Sequence, residues 1–549
     1  MSEFFEAITA AARSSARSLI SGEPTSPAKH SWANVHSRAK RLAGGLAANG
    51  VGISSRVAIL ASNPEEIAPL LQAVWMRGGT AATLQHPTRR TDILRWITDT
   101  RALLDMVEAE FVVVGDLFAQ MLPVLGQEGI RAASASTLEG NDVASTVESD
   151  DDDTALLQFT SGSTGQPKAV VITHRNLQCH NNALATVCQL EPKRDVTVSW
   201  LPMFHDMGLI GCLLFPMWAG IDAVCTTPSE YLRAPSLWPN LITKYRGTGT
   251  AAPNFAYSML TAELRRAHDA SFDLSSLRFV LNGAEPVDAA TINNFLAVGH
   301  RFGLRDTALI AAYGMAEATL AISCTELSKP VGLDSITGYT SGTAPPAIDR
   351  GPNTRQLVEL GHPIPGVELQ VVGTEGRLGS RHIGELEIRG ESVSRGYVTS
   401  EGFESCRKPD GWFPTGDIGY LTESGAVVVC GRRKEMIIVA GRNIFPAEIE
   451  RFAAHVQGVR PGNIVAIPTP GLGRRERFII AVESELHDNS KERQRIAHEV
   501  ALAVYKGIGA GPDLVAVIAP RTIPKTSSGK PRRNATLEML VESGFELAS

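Results

Sequence analysis

No apolar run in this chain is long enough to cross a bilayer, and the opening residues Met1-Ser2-Glu3-Phe4-Phe5-Glu6 have neither a basic start nor an apolar stretch behind it. No targeting leader and no integral membrane segment are expected, and a cytoplasmic location is the default. A basic excess is missing too: a net charge of -6 leaves no electrostatic footprint for nucleic acid, which is not expected as a partner. No two cysteines stand at C-x-x-C spacing. The seven present, Cys179, Cys188, Cys212, Cys225, Cys324, Cys406 and Cys430, are scattered and odd in number. They read as reduced core residues, which excludes a disulfide framework. The acidic run Asp150 to Asp153 lacks metal-ligand spacing and reads as a solvated turn.

Three common catalytic signatures are also absent. A Walker loop has its lysine directly after glycine, whereas Lys168 follows Pro167 and precedes Ala169. A nucleophile elbow needs glycine two positions either side of a serine, and Ser163 has Ser161 on one side. Gly507, Gly509 and Gly511 do not have dinucleotide-fingerprint spacing, and Gly471-Leu472-Gly473 runs on into Arg474-Arg475-Glu476.

What is there is an ordinary globular composition, 43% hydrophobic and 20% charged over 549 residues, long enough for several structural units or for one large domain and a small one. The informative run lies between the apolar stretches Ala155 to Phe159 and Ala169 to Ile172. Every residue from Thr160 through Ser161, Gly162, Ser163 and Thr164 to Gly165 carries a hydroxyl or is glycine, and Lys168 follows. Glycines let backbone N–H groups turn in around an anion, hydroxyls add donors and the lysine adds charge. The run reads as strand, phosphate-holding loop, strand; a solvated turn is the plainer reading of the loop by itself.

Along the chain, Asn34 to Leu46 and Pro64 to Met76 have helical apolar spacing, with strands expected over Arg56 to Leu60 and in the segment Gly78 to Leu84. This alternation predicts a layered α/β domain. His205, in Ser199 to Leu209, sits among apolar residues and taken alone reads as structural. Its neighbour Asp206 need not be its partner. Asn254, Phe255, Ala256 and Tyr257 lie in a segment of small and apolar residues that could line a channel or fill core.

Buried strands over Leu277 to Leu281 and Ala308 to Ala312 lead into Gly283-Ala284-Glu285-Pro286 and Tyr313-Gly314-Met315-Ala316-Glu317, and ligands bind at such strand ends in open α/β sheets. A tyrosine ring beside a glycine backbone suits an adenine face, and Glu317 offers carboxylate oxygen to Mg2+. From Thr325 to Glu359 the composition turns to Gly, Ser, Thr and Pro with little periodicity, as in an insertion or a mobile element. A domain boundary is placed at the charged turn Gly431 to Glu435, separating 1–431 from 432–549. The second part reads as a small α/β unit, with helices over Ala447 to His455 and Arg493 to Tyr505 and strands over Ile464 to Ile467 and Phe478 to Val482. It ends in the loop Ile523 to Lys530, where Gly529 lets Lys530 project.

Taken together and in this order, these runs resemble the acyl-adenylate-forming superfamily over nearly the whole chain, and within it the fatty acyl-AMP ligases. Thr160 to Lys168, His205, Tyr313 to Glu317, Thr415 to Asp417, Gly431 to Glu435 and Pro524 to Lys530 carry the superfamily resemblance, and Ser199 to Leu209, Pro253 to Tyr257, Asn282 to Val287 and Tyr313 to Leu320 the narrower one. Two positions depart from the superfamily's usual residues: Ala169 stands where glycine is usual, and Ala316 where threonine is frequent, the latter similar to the acyl-AMP ligases.

The resemblance implies an α/β fold with a large adenylation domain of several subdomains and a small mobile lid. It implies ATP and Mg2+ as cofactors and a fatty acid as substrate. The reaction implied is acyl-AMP formation with release of pyrophosphate, then transfer to the phosphopantetheine arm of an acyl carrier protein. By matching positions, Thr160 to Lys168 would hold the β- and γ-phosphates, Glu317 the Mg2+, Gly283, Ala284, Glu285, Pro286, Tyr313 and Gly314 the adenine, and Asp417 with Arg432 the ribose. Lys530 and His205 fall among the catalytic positions, Lys434 at the hinge, and Thr325 to Glu359 at the ligases' insertion. The rivals are an acyl-CoA synthetase and a non-catalytic adenylate-binding protein on the same fold; intact Lys530, Glu317 and Asp417 argue against the latter.

Overall fold

The computed structural model describes residues 1–545 apart from 22–25, 88–90, 141–145, 162–166, 338–341, 348–353, 440–441, 461, 470–476 and 526–530. The chain divides into two compact units. The first holds Met1–Gln370, Glu387–Pro414 and Leu421–Val428, and the second Val371–Leu386, Thr415–Tyr420 and Val429–Ser549.

Two large sheets build the first unit. In the eight-stranded sheet the order is Gly402–Ser405, Gly396–Thr399, Pro167–Thr173, Thr154–Ser161, Thr80–Thr83, Arg56–Leu60, Phe111–Val114 and Ala132–Ser134. The last five of these strands are joined by parallel pairings and the first four by antiparallel ones. The helix Pro64–Met76 begins with proline at its first turn, as the sequence predicts, and is buried almost all round. Its Trp75 is fully buried against Phe4, Phe5 and His174 and donates its indole N–H to the Ala155 carbonyl at 3.0 Å. Burying one such ring contributes about 5 kcal/mol by area.

In the nine-stranded sheet, the strands Leu309–Gly314, Phe279–Asn282, Gly249–Ala252, Val196–Ser199, Asp222–Cys225 and Ser18–Ser21 lie side by side and run parallel. Their C-terminal ends therefore face one way, toward the Gly283 and Gly314 turns. The segment Thr325 to Glu359 is less irregular than its composition predicts. Leu333–Ile336 and Arg355–Val358 pair antiparallel, and Ile336 is fully buried, so a few apolar residues suffice to pin two short strands.

The second unit contains the sheet Ile464–Thr469, Arg477–Glu483 and Leu514–Ile518, with the helices Pro446–Ala453, Ser490–Ile508 and Arg533–Glu542. One apolar cluster, including Ile449, Ile480, Val500 and Val504, forms a core of its own. All seven cysteines are free, with Cys212, Cys225 and Cys324 buried. Among the described residues no helix is long and apolar enough to cross a membrane.

Candidate active site

Thr154–Ser161 and Pro167–Thr173 form an antiparallel hairpin with Thr160 opposite Lys168. Gly162, Ser163, Thr164 and Gly165 lie outside the described residues, as does the side chain of Ser161. The next two strands bring new neighbours to the lysine. Tyr397 pairs with Val170 and Glu404 with Tyr397, so Lys168 Nζ sits 2.9 Å from Glu404 Oε2 and 4.8 Å from the centre of the Tyr397 ring. The Tyr397 hydroxyl in turn donates to Glu317 Oε1 at 2.9 Å. Glu404, Tyr397 and Lys168 thus stand on three adjacent strands, and the Tyr397 hydroxyl extends the row to Glu317 in the turn Ala316–Ala318. Burial, and then the Glu317 charge, push the Tyr397 phenol up, so it stays a neutral donor. Glu404 is 57% exposed, and a pair so open to water is weak enough for Lys168 to exchange it for a phosphate.

Sequence reasoning missed Tyr397 and Glu404. Tyr397 lies 80 residues from the carboxylate it holds, and no local pattern marks it.

At the C-terminal end of Phe279–Asn282, the turn takes Ala284 to φ +67, a left-handed conformation that a residue with a Cβ seldom adopts. A Cβ on Gly283 would lie 3.1 Å from the Ala312 carbonyl, so the turn closes tightly on the next strand. Glu285 accepts the Phe255 N–H at 2.7 Å at the start of the helix Asn254–Arg266. Tyr313 is buried, and Gly314 follows where a Cβ would come within 2.0 Å of the Leu320 carbonyl. Glu317 sits in the short turn Ala316–Ala318, fixed by the Ser394 N–H donating to its carbonyl. His205 and Asp206 do pair, with Nδ1 and Oδ1 2.6 Å apart. Asp206 also accepts the Met207 N–H at 2.7 Å and so opens a π-helix, Met207–Leu214, that the sequence pattern does not announce. Such wide helices cluster at functional sites.

Beside these turns a largely apolar cavity runs along one face of the nine-stranded sheet. Its volume is about 110 Å3. It is lined near the strand ends by Gly283, Ala284, Tyr313, Gly314 and Asp206, and elsewhere by residues including Met207, Gly211 and Phe215 of the helical segment and Gly249, Ala251, Phe279 and Leu281 of the sheet. Asn254, Phe255, Ala256 and Tyr257, expected as channel residues, do not line it. Their helix packs behind the sheet: Tyr257 stacks near Trp238 and Phe295 and donates to the Leu281 carbonyl, and Asn254 binds Asn282 and Thr291.

In the second unit, Asp417 is 6% exposed and lies 3.0 Å from Arg432 Nε. Its backbone N–H bonds the Thr415 hydroxyl, which donates to the Leu386 carbonyl. Lys434 lies in the turn Arg433–Glu435. Lys530 lies outside the described residues.

A profile of the AMP-binding enzyme family matches residues 7–398, well over half of the chain. The chain belongs to the AMP-binding enzyme family. It is a ligase of the acyl-adenylate-forming type, similar to fatty acyl-AMP ligases. A candidate ligase of Mycobacterium tuberculosis, Rv1013, is 46% identical over 97% of this chain and 98% of its own length. The long-chain-fatty-acid–AMP ligase FadD28 of the same organism is 32% identical, covering 71% of each chain. A solved structure from work on fatty acyl-adenylate ligases of E. coli and L. pneumophila superposes with a TM-score of 0.86 at 26% identity, over 98% of both chains.

Proposed function

We propose that this chain activates a fatty acid with ATP, forming acyl-AMP and pyrophosphate, and passes the acyl group to the phosphopantetheine arm of an acyl carrier protein. The observation that carries the reading is the apolar cavity beside the Gly283 and Tyr313 turns, which this reading takes as its mouth. A hydrocarbon chain laid in it would bring its carboxylate to the strand ends where an adenylate fits.

The carboxylate attacks the α-phosphorus of ATP. Such a step depends on positioning and on neutralising charge. In this reading Thr160 to Lys168 hold the β- and γ-phosphates, with Lys168 leaving Glu404 to do so. Tyr313, Gly314 and Gly283 to Pro286 frame the adenine, and Asp417 accepts from both ribose hydroxyls with Arg432 beside it. Lys530 bridges the carboxylate and the α-phosphate, and His205, held by Asp206, flanks the mouth of the cavity.

Mg2+ is usually bound by one or two carboxylates together with substrate phosphates and water. Among the described residues no cluster of three acidic, histidine or cysteine groups forms a cage, and Glu317, oriented by Tyr397, fits such a shared site. Bound there, the ion would neutralise phosphate charge. Lys434 is proposed as the hinge of a mobile lid comprising 432–549.

The test is pyrophosphate release with ATP and a series of fatty acids, followed by coenzyme A or holo-acyl carrier protein as acceptor. Acyl-AMP that accumulates with coenzyme A and is consumed by the carrier is the expected result. Absence of pyrophosphate release with every acid in the series refutes the reading.

A further inference from the structure

The cavity has a second end, and its chemistry differs from that of the mouth. In a strand, alternate residues share a face. Phe279, Leu281 and Gly283 present one side to the cavity, as do Gly249 and Ala251 on the neighbouring strand. Small residues on that face open the space, and one of them stands out. A Cβ built on Gly249 meets a single atom, the Phe279 carbonyl oxygen at 4.0 Å, so a side chain there would point into empty cavity. The backbone at Gly249 is not left-handed, so what glycine provides at this position is room.

Just below Gly249 the lining turns polar. Arg278 Nη1 donates to both oxygens of Asp195 at 2.9 and 3.0 Å, and Nη2 donates to the Gln189 carbonyl. Asp195 also accepts the Thr248 hydroxyl at 3.0 Å and the Glu191 N–H at 2.7 Å, and Thr248 accepts the Val196 N–H. Donors and acceptors in this cluster are turned on one another, and the ion pair is nearly buried, at 12% and 9% exposure. A cluster satisfied in this way offers little to a polar ligand group and would cost free energy to displace.

Resting on the acyl-AMP reading of the cavity, we propose that the Asp195–Arg278 pair with Thr248 is the floor of the acyl pocket, and that Gly249 is the position that keeps the bore open above it. The pocket then measures its substrate. From Gly283 at the mouth to Arg278 at the floor is five residue steps, roughly 16 Å at about 3.3 Å each. An extended hydrocarbon advances about 1.3 Å per carbon, because its bonds of about 1.5 Å zigzag. The ligand class is a medium-length acid of roughly 12 carbons, ending in an unfunctionalised methyl group.

The experiment measures kcat/KM for acyl-AMP formation with straight-chain acids from 8 to 20 carbons, about ten of them, on the unmodified protein and on Gly249→Ala and Gly249→Leu. The unmodified enzyme should be best near 12 carbons and at least about tenfold poorer at 18. In Gly249→Leu the ratio of the 8-carbon to the 12-carbon value should rise at least about tenfold, with a smaller rise in the same direction for Gly249→Ala. The alanine variant decides the matter if the leucine variant does not fold. Adenylates formed with an unmoved length profile, or an 18-carbon acid used as well as a 12-carbon one, overturn the floor while leaving the acyl-AMP reading standing. Failure to adenylate any acid overturns both.

Discussion

Asp417→Ala removes a nearly buried carboxylate and leaves Arg432 without the partner 3.0 Å away. If that carboxylate holds the ribose, losing a charged acceptor should weaken binding of a non-hydrolysable ATP analogue by about 1.5 to 3 kcal/mol. Calorimetry reads this directly, and equal affinity in variant and parent would refute the role. Lys530→Ala should behave differently, because a charge used mainly in the transition state costs rate more than affinity. Adenylation should fall roughly two to three orders of magnitude with ATP binding retained, and unchanged pyrophosphate release would remove the lysine from the mechanism. Two buried histidines set a pH limit. Burial lowers His174 and His180 to about 4, and His180 Nε2 accepts the Ala321 N–H at 3.0 Å, which requires the neutral ring. The folded state therefore resists protons that the unfolded chain accepts near pH 6.5. This stability is present above that pH and is lost as pH falls toward 4, by up to about 1.4 kcal/mol per pH unit for each ring. The urea midpoint should drop between pH 7 and 5, with a smaller drop in His180→Gln. A midpoint that does not move would mean that the rings protonate freely in the fold.

At the scale of elements, the turn after Leu309–Gly314 shows why a motif glycine is irreplaceable for packing reasons alone. A Cβ at Gly314 would sit 2.0 Å from the Leu320 backbone oxygen, so Gly314→Ala must pry apart the pairing of that strand with Ala321–Cys324. A cost of about 3 kcal/mol is expected. Gly52, which has nothing within 4 Å of a built Cβ, is the control that should show little change in the denaturation midpoint. Elements were legible in the sequence where a local signal was undivided. The helical apolar spacing over Pro64–Met76 and the apolar run of Arg56–Leu60 placed both. The strand pair Leu333–Ile336 and Arg355–Val358 was hidden, because each strand has four residues in a Gly, Ser, Thr and Pro-rich background. The π-helix Met207–Leu214 had no signal at all, since its apolar residues fit any buried helix.

For the whole molecule, the acceptor is the quantity to measure. With coenzyme A supplied, the unmodified protein is expected to accumulate acyl-AMP. Shortening 338–353 while keeping the two flanking strands, whose Ile336 is fully buried, should let some acyl-CoA form if this segment restrains the lid. Mass spectrometry of the products distinguishes the two. Robust acyl-CoA synthesis by the unmodified protein would move the assignment to an acyl-CoA synthetase.

By itself the sequence determined the family and marked the turns proposed to bear the chemistry. The proposed phosphate loop, the proposed adenine-facing turn and the basic C-terminal loop are each contiguous in sequence, so local composition marks them. The tertiary structure decided which residues surround those turns. The row from Glu404 through Lys168 and Tyr397 to Glu317 exists because sheet register sets strands from distant parts of the chain side by side. The cavity likewise depends on distant elements meeting: Gly249, where a Cβ would meet only the Phe279 carbonyl oxygen at 4.0 Å, lines it together with residues of the helical segment Met207–Leu214. Empty space of this kind is a sum over many elements, and no single stretch of sequence encodes it.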